Sequence, residues 1–179
     1  MILGLDVSTS ITGATVVDKN GEILFCESWD TRNKKRFPTL WDKAIFIENK
    51  LKDVKVRRRG YNIEKVYVEE SLQAFKSGFS SAKTLSTLAK FNGIVSFTCY
   101  KVFGLQPEFI GASSARKLCG IKVERGRKAK EVVLEYLLDN EPSFSIEYTK
   151  HGNPKPGSWD RSDSIIIARA GLKKWESGN

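Results

Sequence analysis

The stretch that most constrains this chain is its beginning, Ile2-Leu3-Gly4-Leu5-Asp6-Val7-Ser8-Thr9-Ser10, a short apolar run closed by a carboxylate and polar turn residues. Such a run reads as a buried strand. A carboxylate buried at its end is unfavourable unless it is paired or binds a cation. Asp6 therefore either holds a metal or caps the following turn through its side chain, as Asp and Ser commonly do. Thr12 to Asp18 then alternates apolar and polar residues and meets Lys19-Asn20-Gly21-Glu22. Asn-Gly is a strong hairpin signal, so Ile23 to Trp29 is the returning strand. The expected unit is a three-stranded antiparallel meander with Asp6 on its first strand.

From Pro38, the positions Leu40, Trp41, Ala44, Ile45, Ile47 and Leu51 approximate a helical apolar stripe, broken by Glu48, which ends near Lys55. A basic turn through Arg57-Arg58-Arg59-Gly60 leads to a strand, Ile63 to Val68, whose apolar run ends in Glu69-Glu70. A crossover helix makes this fourth strand parallel to another strand of the sheet. If that neighbour is the first strand, Asp6 and Glu69 stand side by side at the carboxyl edge, where open α/β sheets form their sites. A loop over Ser71 to Phe79 follows, then a helix from Ser80 or Ser81 to about Val102 and a short strand, Pro107 to Ile110. Next come a helix over Ala112 to Leu118, a basic loop over Lys122 to Arg127 and a helix over Lys128 to Leu138. Tyr148 to Trp159, with Lys150, His151 and Lys155, reads as a loop before a last helix that runs to Trp175.

Asp160 and Asp163 lie three residues apart at the start of that last helix and so point to one side. Acids there gain from the helix dipole, which is the simplest reading of the pair. The run Ile165-Ile166-Ile167-Ala168, however, is apolar enough to bury the helix against the sheet and draw its acidic start inward. Asp6, Glu69, Asp160 and Asp163 then form a cluster without histidine or cysteine. The chain has one histidine, His151, and three scattered cysteines, Cys26, Cys99 and Cys119, which read as reduced core thiols. An oxygen-only donor set suits magnesium or manganese rather than zinc. Paired hard cations serve in-line displacement at phosphorus, so the reaction class is phosphodiester hydrolysis. Thirty Lys plus Arg against twenty-one Asp plus Glu leave a net charge of +9, which favours a polyanionic partner. The 179 residues suit one domain, and no apolar run approaches a bilayer-crossing length. No secretory signature marks the N-terminus, so a cytoplasmic protein is expected, of the host cell if the source is viral.

The strand ending at Asp6, the strand Val66-Tyr67-Val68-Glu69, the helix start Asp160-Arg161-Ser162-Asp163 and their order closely resemble the RuvC family of Holliday-junction resolvases. So does Gly126-Arg127-Lys128-Ala129-Lys130-Glu131-Val132-Val133, similar to a Gly-rich, Lys-bearing helix start that contacts DNA in that family. The resemblance spans almost the whole chain. It implies an α/β fold of ribonuclease H-like type, a mixed five-stranded sheet in the order 3-2-1-4-5 flanked by helices. It further implies a crossover junction endodeoxyribonuclease that cuts by paired nicks with two Mg2+ per site, Mn2+ substituting. By position, Asp6 matches the metal-bridging aspartate, Glu69 the glutamate of the fourth strand with Glu70 in reserve, and Asp160 with Asp163 the Asp-x-x-Asp pair.

The resemblance also implies a homodimer acting on four-way junctions, for which the long helix from Ser81 to Val102 is an available interface, and a loop after Glu69 that places Leu72 and Phe75 near the crossover. Phe79 fits a core anchor better. Lys76, Lys83, Arg125, Arg127, Lys128 and Lys130 are available to neutralise phosphates or to serve as solvated surface. The alternatives are a broader fork or flap nuclease and a non-catalytic junction binder. A sugar-kinase or actin-like ATPase shares the first loop, but this chain is too short for two such lobes.

Overall fold

The computed structural model describes residues 1–56, 61–70 and 82–178. Strands β1 (Ile2–Asp6), β2 (Ile11–Val17) and β3 (Ile23–Asp30) form the meander, followed by helix α1 (Leu40–Val56) and strand β4 (Lys65–Glu69). Helix α2 (Ala82–Phe103), strand β5 (Glu108–Ile110), and helices α3 (Ala112–Leu118), α4 (Ala129–Asn140) and α5 (Ser158–Ser177) complete the order. The sheet runs β3-β2-β1-β4-β5, the order expected of a ribonuclease H-like sheet. β1 pairs antiparallel with β2 and parallel with β4, so the crossover through α1 places Leu5 opposite Val68 and brings Asp6 and Glu69 to one edge.

Helices cover both sheet faces, which is why β1 and β2 are buried along their whole length rather than alternating with solvent. Leu3, Leu5, Val66 and Val68 point into a core shared with α1 and α2. Ile2, Tyr67 and Ile110 point into a second core shared with α3, α4 and α5. Period-two alternation thus turns Gly4, Asp6, Tyr67 and Glu69 toward α5. On the α1 side the apolar stripe is narrower than the sequence implies. Ala44, Ile47, Leu51 and Val54 are buried, whereas Trp41 and Ile45 are 67% and 60% exposed. The helix begins at Leu40, where Thr39 and Asp42 cap it reciprocally, Thr39 N–H donating to Asp42 Oδ2 at 2.9 Å and Asp42 N–H to Thr39 Oγ1 at 3.3 Å.

Two further local features are built by hydrogen bonds. The Asn20-Gly21 turn is wider than a two-residue hairpin, because the Asp18 carboxylate accepts the N–H groups of both Asn20 and Glu22 and a register shift falls between Val16 and Val17. The segment before α5 is a loop, as expected, and it closes on itself, with Tyr148 bridged to Pro154 and Lys155 N–H donating to Glu147 O at 2.8 Å. No helix of the described residues is long and apolar enough to cross a membrane.

Helix α5 lies against the sheet backbone itself. A Cβ on Gly4 would overlap Ala168, one on Gly13 would overlap the Asp160 carbonyl, and one on Gly171 would overlap the Tyr67 ring. Thr15 Oγ1 and Ser164 Oγ, 2.7 Å apart and buried, fix the register of the contact. The helix is buried nearly all round because α3 and α4 pack on its other side. Since the obstacle at Gly13 is backbone rather than a pliable side chain, Gly13→Ala is expected to destabilise the fold by about 3 kcal/mol. Urea unfolding checks this, and a loss under about 1 kcal/mol would contradict so close an approach.

Candidate active site

At the carboxyl edge of the sheet, Asp6, Glu69 and Asp163 each place a carboxylate oxygen within 4.8 Å of the others. Each comes from a different element: Asp6 from the last position of β1, Glu69 from the last of β4, and Asp163 from the second turn of α5. Asp160, one turn earlier on the same stripe of α5, interacts electrostatically with both Asp6 and Glu69. The choice between Glu69 and Glu70 follows from the pleat. Glu69 faces α5 with Tyr67, while Glu70 is exposed, uses its N–H on Ile110 O at 3.0 Å and turns its carboxylate toward Gly111. Asn92 on α2 steadies the end of β4 by donating from Nδ2 to Glu69 O at 3.0 Å.

Burial is the leading influence on all four acids. It raises Asp6 well above the usual carboxylate range, with the charges of Glu69 and Asp163 adding to the rise. Glu69 is pushed up to about 7 by burial and then by Asp163. Asp160 and Asp163 are also raised by burial, against the opposing pull of Lys130. Lys130, in the first turn of α4, lies 3.4 Å from Asp163 Oδ2. Burial works against its charge, but Asp163, Asp6 and Asp160 outweigh that and hold it above the ordinary lysine value.

The remaining sequence candidates fall into distinct places. Lys130, expected as a phosphate contact, stands at the acid cluster itself. Arg127 forms a two-pronged pair with Glu135 at 2.6 and 2.8 Å, and Lys128 pairs with Glu131 at 3.0 Å, so both are engaged along α4. Lys83 and Arg125 are exposed. Leu72, Phe75, Lys76, Phe79 and the Arg57–Arg59 run lie outside the described residues, as do Ser80 and Ser81.

Two basic residues near the site were not singled out from sequence. Arg116 of α3 acts electrostatically on Glu69 and Asp163, and Arg32, just past β3, acts on Asp160. A signal for Arg116 was present: a helix that starts where a parallel edge strand ends must begin at the carboxyl edge.

The donor set fits magnesium or manganese. It consists of converging carboxylate oxygens with no nitrogen or sulfur ligand among the three grouped residues, and its acids are charged only at an energetic penalty in the cation's absence. Asp6, Glu69 and Asp163 would hold such ions, with Asp160 beside them.

That penalty has a definite pH dependence. A carboxyl group whose folded pKa is raised binds its proton more tightly folded than unfolded, so metal-free stability is highest below the unfolded value and falls as pH climbs toward the folded one. With Glu69 shifted from 4.5 to about 7, a loss on the order of 3 kcal/mol is expected between pH 5 and 8 from this residue alone. Urea unfolding in chelator checks it. Asp6→Asn should be more stable than the wild type at the alkaline end, and a flat wild-type profile would contradict the cluster's electrostatics.

No protein-family model matches the sequence, and no curated protein matches it. Solved structures do. Thermus thermophilus RuvC in complex with a Holliday junction substrate superposes with a TM-score of 0.66 at 19% identity, over 99% of this chain and 95% of that one. A second structure of Thermus thermophilus RuvC gives 0.58 at 20% identity, over 99% and 96%. With the strand order β3-β2-β1-β4-β5, these superpositions show that the chain has the RuvC-like form of the ribonuclease H fold.

Proposed function

We propose that this chain is a divalent-metal-dependent endonuclease that resolves four-way DNA junctions. The observation that carries the reading is the convergence of Asp6, Glu69 and Asp163 within 4.8 Å, with Asp160 adjoining, in a chain of net charge +9. Like-charged buried groups without a cation are unfavourable, and a basic protein that concentrates acids at one point is suited to metal-assisted attack on a polyanion. The fold shared with a RuvC in complex with a Holliday junction substrate supports the junction as substrate.

Asp6, Glu69, Asp163 and Asp160 would hold two Mg2+ ions, with Mn2+ as a substitute. The bound ions would supply an activated water and neutralise charge on the departing 3′ oxygen, leaving 5′-phosphate and 3′-hydroxyl ends. Lys130, 3.4 Å from Asp163 Oδ2, would restrain that carboxylate and donate a hydrogen bond to a non-bridging phosphate oxygen. Helix α5 closes against the sheet at Gly13, and Asp6 beside it is buried.

A homodimer matches the twofold symmetry of a junction, with one site for each cut strand. Its support is a set of exposed apolar side chains on the α1–α2 layer. Lys101 bridges Glu48 at 3.1 Å, and both helices run away from the carboxyl edge. One turn back along each, Ile45 and Phe97 are 60% and 66% exposed, and Trp41 and Tyr100 on the same two helices are exposed as well. Several large apolar side chains left exposed on one layer suit an association surface.

Two measurements test the reading. Wild type with Mg2+ should nick synthetic junctions in symmetric pairs, and Asp6→Asn should lose at least about a thousandfold in rate while still binding the junction. Equal cutting of linear duplex would point to a broader nuclease, and binding without cutting under Mg2+ or Mn2+ to an architectural binder. Sedimentation at micromolar concentration should give a dimer, with Phe97→Glu monomeric. A wild-type monomer that cuts at full rate would remove the dimer.

A further inference from the structure

The connection from β3 to α1, residues 31–39, gathers charge that the site described above does not use. It carries Arg32, Lys34, Lys35 and Arg36, and Lys43 joins them from the second turn of α1. Their acidic neighbour Asp30 is already taken: Arg32 holds both its oxygens, Nε to Oδ1 at 3.0 Å and Nη2 to Oδ2 at 2.6 Å. Among the described residues, no ion pair links Lys34, Lys35 or Arg36 to an acid. Lys34 and Lys43 are close enough that, after burial, Lys34 helps lower the Lys43 pKa. Such crowding of like charge is relieved by a bound polyanion.

The segment is also built to hold these charges still. Asn33 organises the turn, its carbonyl accepting the N–H groups of Arg36 and Phe37 at 3.1 and 2.8 Å and its side chain accepting that of Lys35 at 3.0 Å. Phe37 is buried, and the Arg36 guanidinium lies over the rings of Phe37 and Phe46, 5.2 and 5.6 Å from their centroids. An open hollow of about 530 Å³ is lined by Asp30, Arg32, Asn33, Arg36 and Phe37.

Its place in the fold is tied to the acids. Thr31 N–H donates to Ser10 O at 2.8 Å and Lys43 Nζ donates to Thr9 O, both in the turn that follows Asp6. Arg32 acts on Asp160 across the gap. Along α1, Lys43, Phe46 and Lys50 share the flank toward β3, nearly opposite the Trp41–Ile45 flank by helical periodicity, so a dimer formed through the latter leaves the basic flank open.

We propose that residues 32–36 with Lys43 form a preorganised cradle for the sugar–phosphate backbone of the DNA flanking the cut. This rests on the nuclease reading and adds to it a contact surface on the β3 side of the acids, separate from α4 and from the segment after Glu69. DNA leaving the acid cluster on that side passes from Arg32 to Arg36, with Lys34 and Lys43 beside them, while the cluster itself repels phosphate unless cations are bound.

The test uses fluorescence anisotropy with a labelled four-way junction over a salt series, in an Asp6→Asn background with Mg2+. Each lost phosphate contact lowers the slope of log K against log salt by about 0.9, so Lys34→Ala/Lys35→Ala/Arg36→Gln should lower it by about 2 to 3 and weaken binding about tenfold or more at moderate salt. Its unfolding midpoint should match the parent's. Lys19→Ala/Lys173→Ala, at the opposite edge of the sheet, should leave the slope unchanged. An unchanged slope in the triple variant, or an equal fall in the Lys19/Lys173 control, overturns the cradle while leaving the nuclease reading intact. A parent that binds neither junction nor duplex overturns both.

Discussion

The backbone of α5 rests on the glycines of the sheet, and the acid cluster exists because of that contact. Gly4, Gly13 and Gly171 remove the side chains that would hold helix and sheet apart. Asp163 then sits deep enough to meet Asp6 and Glu69. At an ordinary helix–sheet distance the same residues would be three separate surface acids. Thr15 and Ser164 set the register through a buried hydroxyl pair. The apolar residues beyond, from Ile165 to Leu172, anchor the helix in the second core. Packing energy distributed along some twenty residues of α5 is thus used to hold carboxylates together against their own repulsion.

The local charge balance runs against that of the whole chain. An excess of lysine and arginine surrounds the point where Asp6, Glu69 and Asp163 converge beside Asp160, and Lys130 lies 3.4 Å from Asp163 and acts electrostatically on the others. Lys130, with Arg116 and Arg32 farther off, leaves the acids undercompensated against burial, so their pKa values stay raised. A divalent cation would relieve both the desolvation and the repulsion. The basic exterior meanwhile supplies long-range attraction for DNA, which the cluster alone would repel.

Much of this was legible in the residue order, for physical reasons that differ from element to element. A carboxylate closing a buried strand draws attention to Asp6 and Glu69 even while turn capping is an alternative, and a helix between their strands makes those strands parallel. The all-apolar run after Asp163 signals a helix covered on every side. Counting along the strand favours Glu69 but leaves Glu70 in reserve, since a one-residue register slip would exchange their faces. Other features depend on distances that no local pattern encodes. Trp41 and Ile45 fit a helical stripe as well as Ala44 and Ile47 do, and only the placement of α2 leaves them exposed. Gly13 reads as a weak strand residue until the Asp160 carbonyl is found above it. Lys130 carries no mark separating it from Lys128, although one reaches the acids and the other pairs along its own helix.

The account stands on the acid cluster being a divalent-cation site, and the most direct measurement is the anomalous X-ray signal from crystals of the wild-type protein soaked in manganese. Two peaks about 4 Å apart are expected, bounded by Asp6, Glu69 and Asp163. Ordered crystals with manganese bound elsewhere but no peak among these carboxylates would contradict the central claim.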